Sequence, residues 1–461
     1  MTDNARKQRN RLRYLFSALV LLASVICHPS SSYAGLIRDA EIEATLRSYA
    51  DPIFKAAGLK PSAVKIYLVQ DRTLNAFVAG GSNLFIHTGL ITETESADML
   101  LGVIAHETGH IAGGHLAKGS EKLKDAQIGT IIATVLGAGA AVATGKPEAA
   151  AAVITGTSTA SMRNFFSFTR ANENAADQAA LGYLDKLNIS SYGMVKMFEL
   201  LKRQERKQFG VPDPYLRTHP LTNDRIDHVR AHVEQSLIPE GSYPKELSVE
   251  HQRMVAKLRG FMDAPEKTLR TYGINDQSIP ARMARAIAFF RQSQIAQAET
   301  LMDGLVKENP NDAFLYDLRG QILFESAKPA EALASYRSAN KLLPSNALIM
   351  IDLGKSEMTQ GSPENITSAV AHLERATTLE PFNSFGWRQL ATAYSKQHNE
   401  PMSHLALSEE ALLDGDVAQT IAQSDLAINS LTNASAKLRA QDIKTRALQM
   451  QKEQADAKSI F

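Results

Sequence analysis

The stretch Ala97-Asp98-Met99-Leu100-Leu101-Gly102-Val103-Ile104-Ala105-His106-Glu107-Thr108-Gly109-His110 decides how the rest of the chain is read. Its Ala, Leu and Ile content predicts a helix from Ala97 to Leu116. His106 and His110, four apart, then share one face and converge on one ion. Glu107 lies beside them, placed to take a proton from an attacking water without itself being a ligand, as metal-assisted hydrolysis requires. Such a pair also occurs as ordinary core or surface histidines, so the surroundings have to carry the rest of the argument.

A hydrolytic zinc site needs a third protein ligand and one open position. His115 is one candidate, with Gly113 ahead of it in a metzincin-like spacing, but that pattern wants histidine at position 116, where Leu116 stands. On a continued helix His115 also falls about 180° round from His106, at about 100° per residue. It therefore reads as a packing or surface residue. The other candidate is Glu173 in Glu173-Asn174-Ala175-Ala176-Asp177. On a helix Glu173 and Asp177 share a face, so one carboxylate could bind metal while the other receives a ring N–H from a ligating histidine. The same pair would equally suit an exposed acidic face.

Upstream, Leu36, Ile37, Ala40, Ala44 and Leu46 predict an amphipathic helix over Leu36 to Tyr49. Val64 to Val69 reads as a strand. Asn75 to Ala79, passing through Gly80-Gly81-Ser82-Asn83 into Leu84 to His87, reads as a hairpin. The order helix, small sheet, motif helix suits an α+β core.

The first 34 residues have the parts of a secretory signal: basic residues Arg6 to Arg13, an apolar stretch from Tyr14 to Cys27, and Ser32-Tyr33-Ala34 before Gly35. An uncleaved anchor is the alternative, although the stretch is short for a span of ~20 residues. Bulky Ile26 argues against lipidation of Cys27. Cys27 is the only cysteine, so disulfides are excluded and a metal site must be built from His and carboxylates. The whole-chain formal charge of +1 conceals a basic first segment and a slightly acidic remainder, which does not suggest a nucleic-acid binder.

Residues 128–154 are mostly apolar or small, with a break at Gly145-Lys146-Pro147. They read as a buried helical hairpin, or else as a lid or a peripheral membrane contact. From Pro239 to Pro280 scattered prolines mark a linker, within which Val249 to Phe261 has helical character. Beyond it Pro310 and Pro344 recur 34 residues apart, with Ala298 matching Ala332, Ala286 matching Gly320, and Met302 matching Tyr336. A third unit ends at Pro381. Trp387, Leu390 and Tyr394 open a fourth, and Ala406 to Leu431 reads as a degenerate fifth. This half resembles the tetratricopeptide repeat (TPR) family, although Arg285 and Arg319 stand where that family has Leu. Stacked helix pairs of this kind form a concave surface that usually holds protein segments.

Taken in order, Asn75-Ala76-Phe77, His106-Glu107-x-x-His110, Glu173-x-x-Ala176-Asp177, His219-Pro220 and Arg225-Ile226 make Leu36 to Val233 similar to the HtpX and CAAX-prenyl-protease type of zinc peptidases. The membrane-embedded members have several long apolar spans that this chain lacks, so CAAX processing does not transfer.

The resemblance implies an α+β zincin-type metalloprotease domain followed by an all-α TPR solenoid, divided as 1–34 signal, 35–238 protease, 239–280 linker and 281–450 repeats. It implies one Zn2+ per chain on His106, His110 and Glu173, with Glu107 as base and Asp177 behind the histidines. Asn75, Phe77 and Arg225 would flank the substrate cleft. His219 would be either a resting-state ligand or an oxyanion stabiliser. The implied activity is periplasmic endoproteolysis of unfolded or stalled envelope proteins, with the outer-membrane β-barrel assembly machinery as a partner of the repeats. The rival expectation is an assembly chaperone with a latched peptidase.

Overall fold

The computed structural model describes residues 35–115, 170–207, 215, 219 and 221–459. The expected signal segment and the apolar run 128–154 lie outside the described residues.

The first helix starts later than its periodicity predicts. Leu36–Ile37 form strand β1, antiparallel to β2 (Lys65–Val69), with Leu36 opposite Val69. Helix α1 (Ala40–Ala56) begins only after Asp39, whose carboxylate accepts the amides of Glu41 and Ile42. Pairing with an available sheet edge outcompetes one more turn of helix for Leu36 and Ile37. α1 then buries Ile42, Leu46, Tyr49, Ile53 and Phe54. β3 (Ala76–Ala79) and β4 (Asn83–His87) form the expected hairpin, turning through Gly80 and Gly81, both at positive φ. β4 runs parallel to β2, so among the described residues the sheet order is β1-β2-β4-β3 with β3 at its edge.

Helix α2 (Thr88–Glu93) leads into α3 (Ala97–Ala112), in which every residue from Ala97 to His110 is buried. α3 stops short of Leu116: Gly113 caps it and Gly114 takes φ +59°. α4 (Arg170–Lys186) and α5 (Tyr192–Lys207) pack on α3, and α6 (Asn223–Gln235) packs on both α4 and α5.

The stretch expected as a linker carries two helices, α7 (Lys245–Met262) and α8 (Pro265–Thr271). Leu247, Met254 and Leu258 of α7 join the core formed by α1, the sheet and α3. Along the same helix, Gly260 meets Ile287 of α9 (Ile279–Arg291).

From α9 onward the chain is a row of helix pairs: α9 with α10 (Ile295–Glu308), α11 (Ala313–Glu325) with α12 (Pro329–Leu342), and α13 (Ala347–Gln360) with α14 (Pro363–Leu379). α15 (Ser384–Lys396) pairs with α16 (Glu400–Leu413), and α17 (Val417–Ser430) with α18 (Ala434–Ser459). The last pair thus begins at Val417 rather than Ala406, and α16 completes the fourth unit. Two residues after each repeat proline stands an N-cap, Asp312, Asn346 or Asn383, whose side chain accepts amides of the next first turn. Gly320 and Gly354 sit where an added Cβ would come within 2.7 Å of Tyr336 and 2.8 Å of Leu373, so each pair closes over a residue with no side chain.

The repeats fold back onto β1, α1 and α7. Ala40 packs with Ala339 and Ile349. Arg38 donates to Glu380 at 2.6 Å, and Arg253 bridges Glu41 and Asp312. Lys257, fully buried on α7, lies 2.8 Å from Asp39 and 3.3 Å from Glu41. Between β1, β2, α1 and the repeats is a cavity of about 920 Å3, lined by Ile66, Leu348, Leu379, Phe382 and Met450 among others. None of the histidine cluster described below lines it.

Lys257→Ala would leave Asp39 and Glu41 facing each other without their ammonium. It should cost about 3–5 kcal/mol in urea denaturation. A loss under about 1 kcal/mol would show that Lys257 does not tie the segments together.

Candidate metal centre

Glycine sets the geometry of the site. A Cβ on Gly109 would lie 2.8 Å from the Ala176 carbonyl oxygen and 2.9 Å from its Cα. Only a glycine therefore lets α4 come this close to α3. Glu173 and Asp177 flank Ala176 on α4, and the close approach sets both carboxylates against the histidines of α3.

His106 Nδ1 donates to Asp177 at 2.8 Å, because a carboxylate only accepts. That leaves His106 Nε2 facing inward, 3.1 Å from His110 Nε2 and 3.5 Å from Glu173. His110 Nε2 lies 3.3 Å from the other Glu173 oxygen. His219 closes the group, its Nδ1 3.4 Å from His106 Nε2 and 3.2 Å from Glu173. One ligand atom from each of His106, His110, Glu173 and His219 lies within 4.8 Å of the others. All four residues are at most 3% exposed.

The electrostatics favour a cation here. Burial alone would lower the His106 pKa, but Asp177 and Glu173 outweigh it and push it up to about 10. Burial and the neighbouring histidines hold His110 down to about 3. Glu173 goes the other way: burial would raise it, yet three surrounding histidines keep it well below the usual carboxylate range. The pocket thus stabilises one positive charge among inward-facing imidazole nitrogens and a carboxylate, and it resists a second. Three imidazoles and a carboxylate, with no sulfur, fit Zn2+.

Glu107 is completely buried beside the cluster, 3.5 Å from His219 Nε2. Among the described residues neither of its oxygens has a hydrogen-bond partner, and burial raises its pKa. Tyr215 stacks on the His219 ring at 4.6 Å, and its carbonyl accepts the His219 amide at 2.7 Å.

Two expectations, those for Arg225 and His115, need restating against this geometry. Arg225, expected at the substrate cleft, is buried behind the cluster. It donates to both Asp177 oxygens at 2.6 and 2.9 Å and lies 2.9 Å from Glu173. Two carboxylates hold it there more strongly than solvent or a passing peptide would. His115, expected on the far side of the helix, is turned back at Gly114 and sits with Nδ1 2.9 Å from His110 Nδ1. Asn75 immediately precedes strand β3, which packs against α3, and Phe77 lies within it and stacks on Phe85. The signals for His115 and Tyr215 were short-range only: a Gly-Gly pair immediately ahead of a histidine, and a tyrosine four residues before another.

The fold and this cluster define a metallopeptidase of the His-Glu-x-x-His kind. Residues 37–233 match the family described as "Peptidase family M48", and with the buried cluster of His106, His110, Glu173 and His219 this makes the chain a metalloprotease with zinc as its cofactor. It is 28% identical over 379 residues to the "Putative beta-barrel assembly-enhancing protease" of Vibrio cholerae, covering 80% of this chain and 74% of that protein. To the "Beta-barrel assembly-enhancing protease" of Escherichia coli K12 it is 25% identical over 416 residues, covering 88% and 81%. "Metalloprotease LoiP" of the same organism matches a shorter stretch, 26% identical over 211 residues, covering 45% and 78%.

Gly109→Ala should push α4 off α3, with the overpacking costing about 1–3 kcal/mol. Equilibrium dialysis should show weakened zinc binding alongside the lower stability. Unchanged zinc affinity would mean that the close approach does not position Glu173.

Proposed function

We propose that the chain is an exported zinc endopeptidase of the periplasm that works in β-barrel outer-membrane protein assembly and quality control. His106, His110 and Glu173 hold the ion. The convergence of these groups around inward-facing imidazole nitrogens is the observation that carries the proposal. The names of the relatives support the assembly role, and the basic-apolar-small pattern of residues 1–34 supports export. In this reading the chain divides into a protease domain over 35–238 and a repeat domain over 281–450, with α7 and α8 between them and α7 packed on the protease core.

Zinc, when bound, supplies Lewis acidity that polarises the scissile carbonyl and acidifies water. Glu107 accepts the proton of the attacking water and returns it to the leaving amide nitrogen. Its burial suits it to this task, because a poorly solvated carboxylate is a stronger base. Asp177 holds His106 in the tautomer whose Nε2 is free to ligate, and Arg225 holds Asp177. A client segment in extended form adds to the β3 edge near Asn75 and Phe77, while the concave face of the repeats holds the rest of the client or a partner of the assembly machinery.

His219 lies within the ligand cluster, which favours the latch role over oxyanion stabilisation. It also favours a second reading of the whole protein, in which the resting chain is an adaptor whose peptidase engages only once His219 is displaced.

Casein cleavage separates these roles. Glu107→Gln should lose at least about 100-fold in rate while keeping one zinc per chain by metal analysis. Retained activity would remove Glu107 from the base role. His219→Ala should raise cleavage; its abolition would move His219 to the oxyanion role instead.

A further inference from the structure

The two histidines of the motif are braced from behind in different ways. His106 leans on Asp177, a carboxylate itself clamped by Arg225. His110 leans on His115, with Nδ1 to Nδ1 at 2.9 Å. The chain is built to deliver this second brace. α3 ends at Ala112, the Gly113 amide closes on Gly109 O and the Gly114 amide on Ile111 O, and Gly114 takes the left-handed conformation that turns His115 back over the last turn. Gly113 also makes room for it, since a Cβ there would lie 2.4 Å from His115 Nε2. Both rings are buried, at 0% and 8% exposure, and stand edge to face with centroids 5.0 Å apart.

We propose that His115 is a positioning residue: its Nδ1 accepts the Nδ1–H of His110 and so holds the His110 Nε2 lone pair toward the zinc. The proposal rests on the reading of His110 as a ligand. Its logic is that of tautomers. An imidazole with its proton on Nδ1 offers Nε2 to a metal, and a fixed acceptor at Nδ1 selects that tautomer and ring orientation. His115 then carries its own proton on Nε2, the atom that faces Gly113. A neutral imidazole accepts less strongly than a carboxylate, so His110 is held by a weaker partner than His106. The difference follows from the Gly113-Gly114 turn and cannot be read from the motif spacing.

The test is zinc affinity, measured by competition with a chromophoric chelator on the full mature chain, for His115→Phe, His115→Asn and Gly113→Ala beside the wild type. His115→Phe fills the space without an acceptor and should weaken zinc binding about 10–100-fold. His115→Asn places an amide oxygen near the position of Nδ1 and should recover affinity to within a few-fold of wild type. Gly113→Ala keeps the histidine but displaces its ring, and should behave like His115→Phe. Wild-type affinity in His115→Phe overturns the proposal, as does equal loss in Phe and Asn variants whose unfolding midpoints match the wild type. If His115→Phe fails to fold, Gly113→Ala decides: wild-type affinity there overturns the proposal and a 10-fold or greater loss supports it. His110→Ala is the control for the underlying reading. If it keeps wild-type affinity, the ligand assignment fails rather than the role of His115.

Discussion

The whole site depends on one backbone contact, the close approach of α4 to α3 where Ala176 rests against Gly109. Two helices with ordinary side chains at a crossing stay about 8–10 Å apart. Here the missing Cβ lets Glu173 reach the Nε2 atoms of both His106 and His110 while Asp177 reaches His106 Nδ1. Once there, carboxylates and imidazoles stabilise each other in a buried place where either alone would be costly. Arg225 balances charge on the far side of the carboxylates, and His219 Nδ1 lies against Glu173 on the near side. The electrostatics of the centre thus follow from a steric permission granted by one residue.

The same economy of charge joins the two halves of the chain. Asp39, whose carboxylate caps α1, is also the partner of Lys257 on α7, and Glu41 pairs with Arg253, which reaches Asp312 at the N-terminus of α11. A helix cap, a shared helix and the first turn of a repeat are therefore parts of one network of ion pairs around the buried Lys257. The cavity beside it is lined by residues of β1, β2, α1 and the repeats and by none of the histidine cluster.

Much of this was legible in the sequence, for reasons that are local. The i,i+4 spacing of His106 and His110 needs only a helix, the Gly80-Gly81 turn needs only a hairpin, and the 34-residue spacing of Pro310 and Pro344 needs only a repeated helix pair. The grouping of Glu173 with the histidines was not legible from spacing alone, since an acidic helix face has the same pattern, and family resemblance carried that step. What periodicity could not see were competitions between local and distant partners. Leu36 and Ile37 fit a helix but pair with Val69 and Leu68. His115 falls on the far face of an ideal helix, but the helix ends at Ala112. Arg225 resembled a cleft residue because its partners, Glu173 and Asp177, lie about fifty positions earlier in the chain. The region of α7 and α8 looked like a linker because its prolines obscured an apolar face that only the folded core reveals.

The most direct test of the account is anomalous diffraction at the zinc edge from crystals of the purified, zinc-loaded protein. The account predicts a single peak with His106 Nε2, His110 Nε2 and a Glu173 oxygen each about 2.0–2.2 Å away. A peak bound by the two histidines with Glu173 turned away from it would contradict the account, and so would a zinc-loaded crystal with no peak at this site.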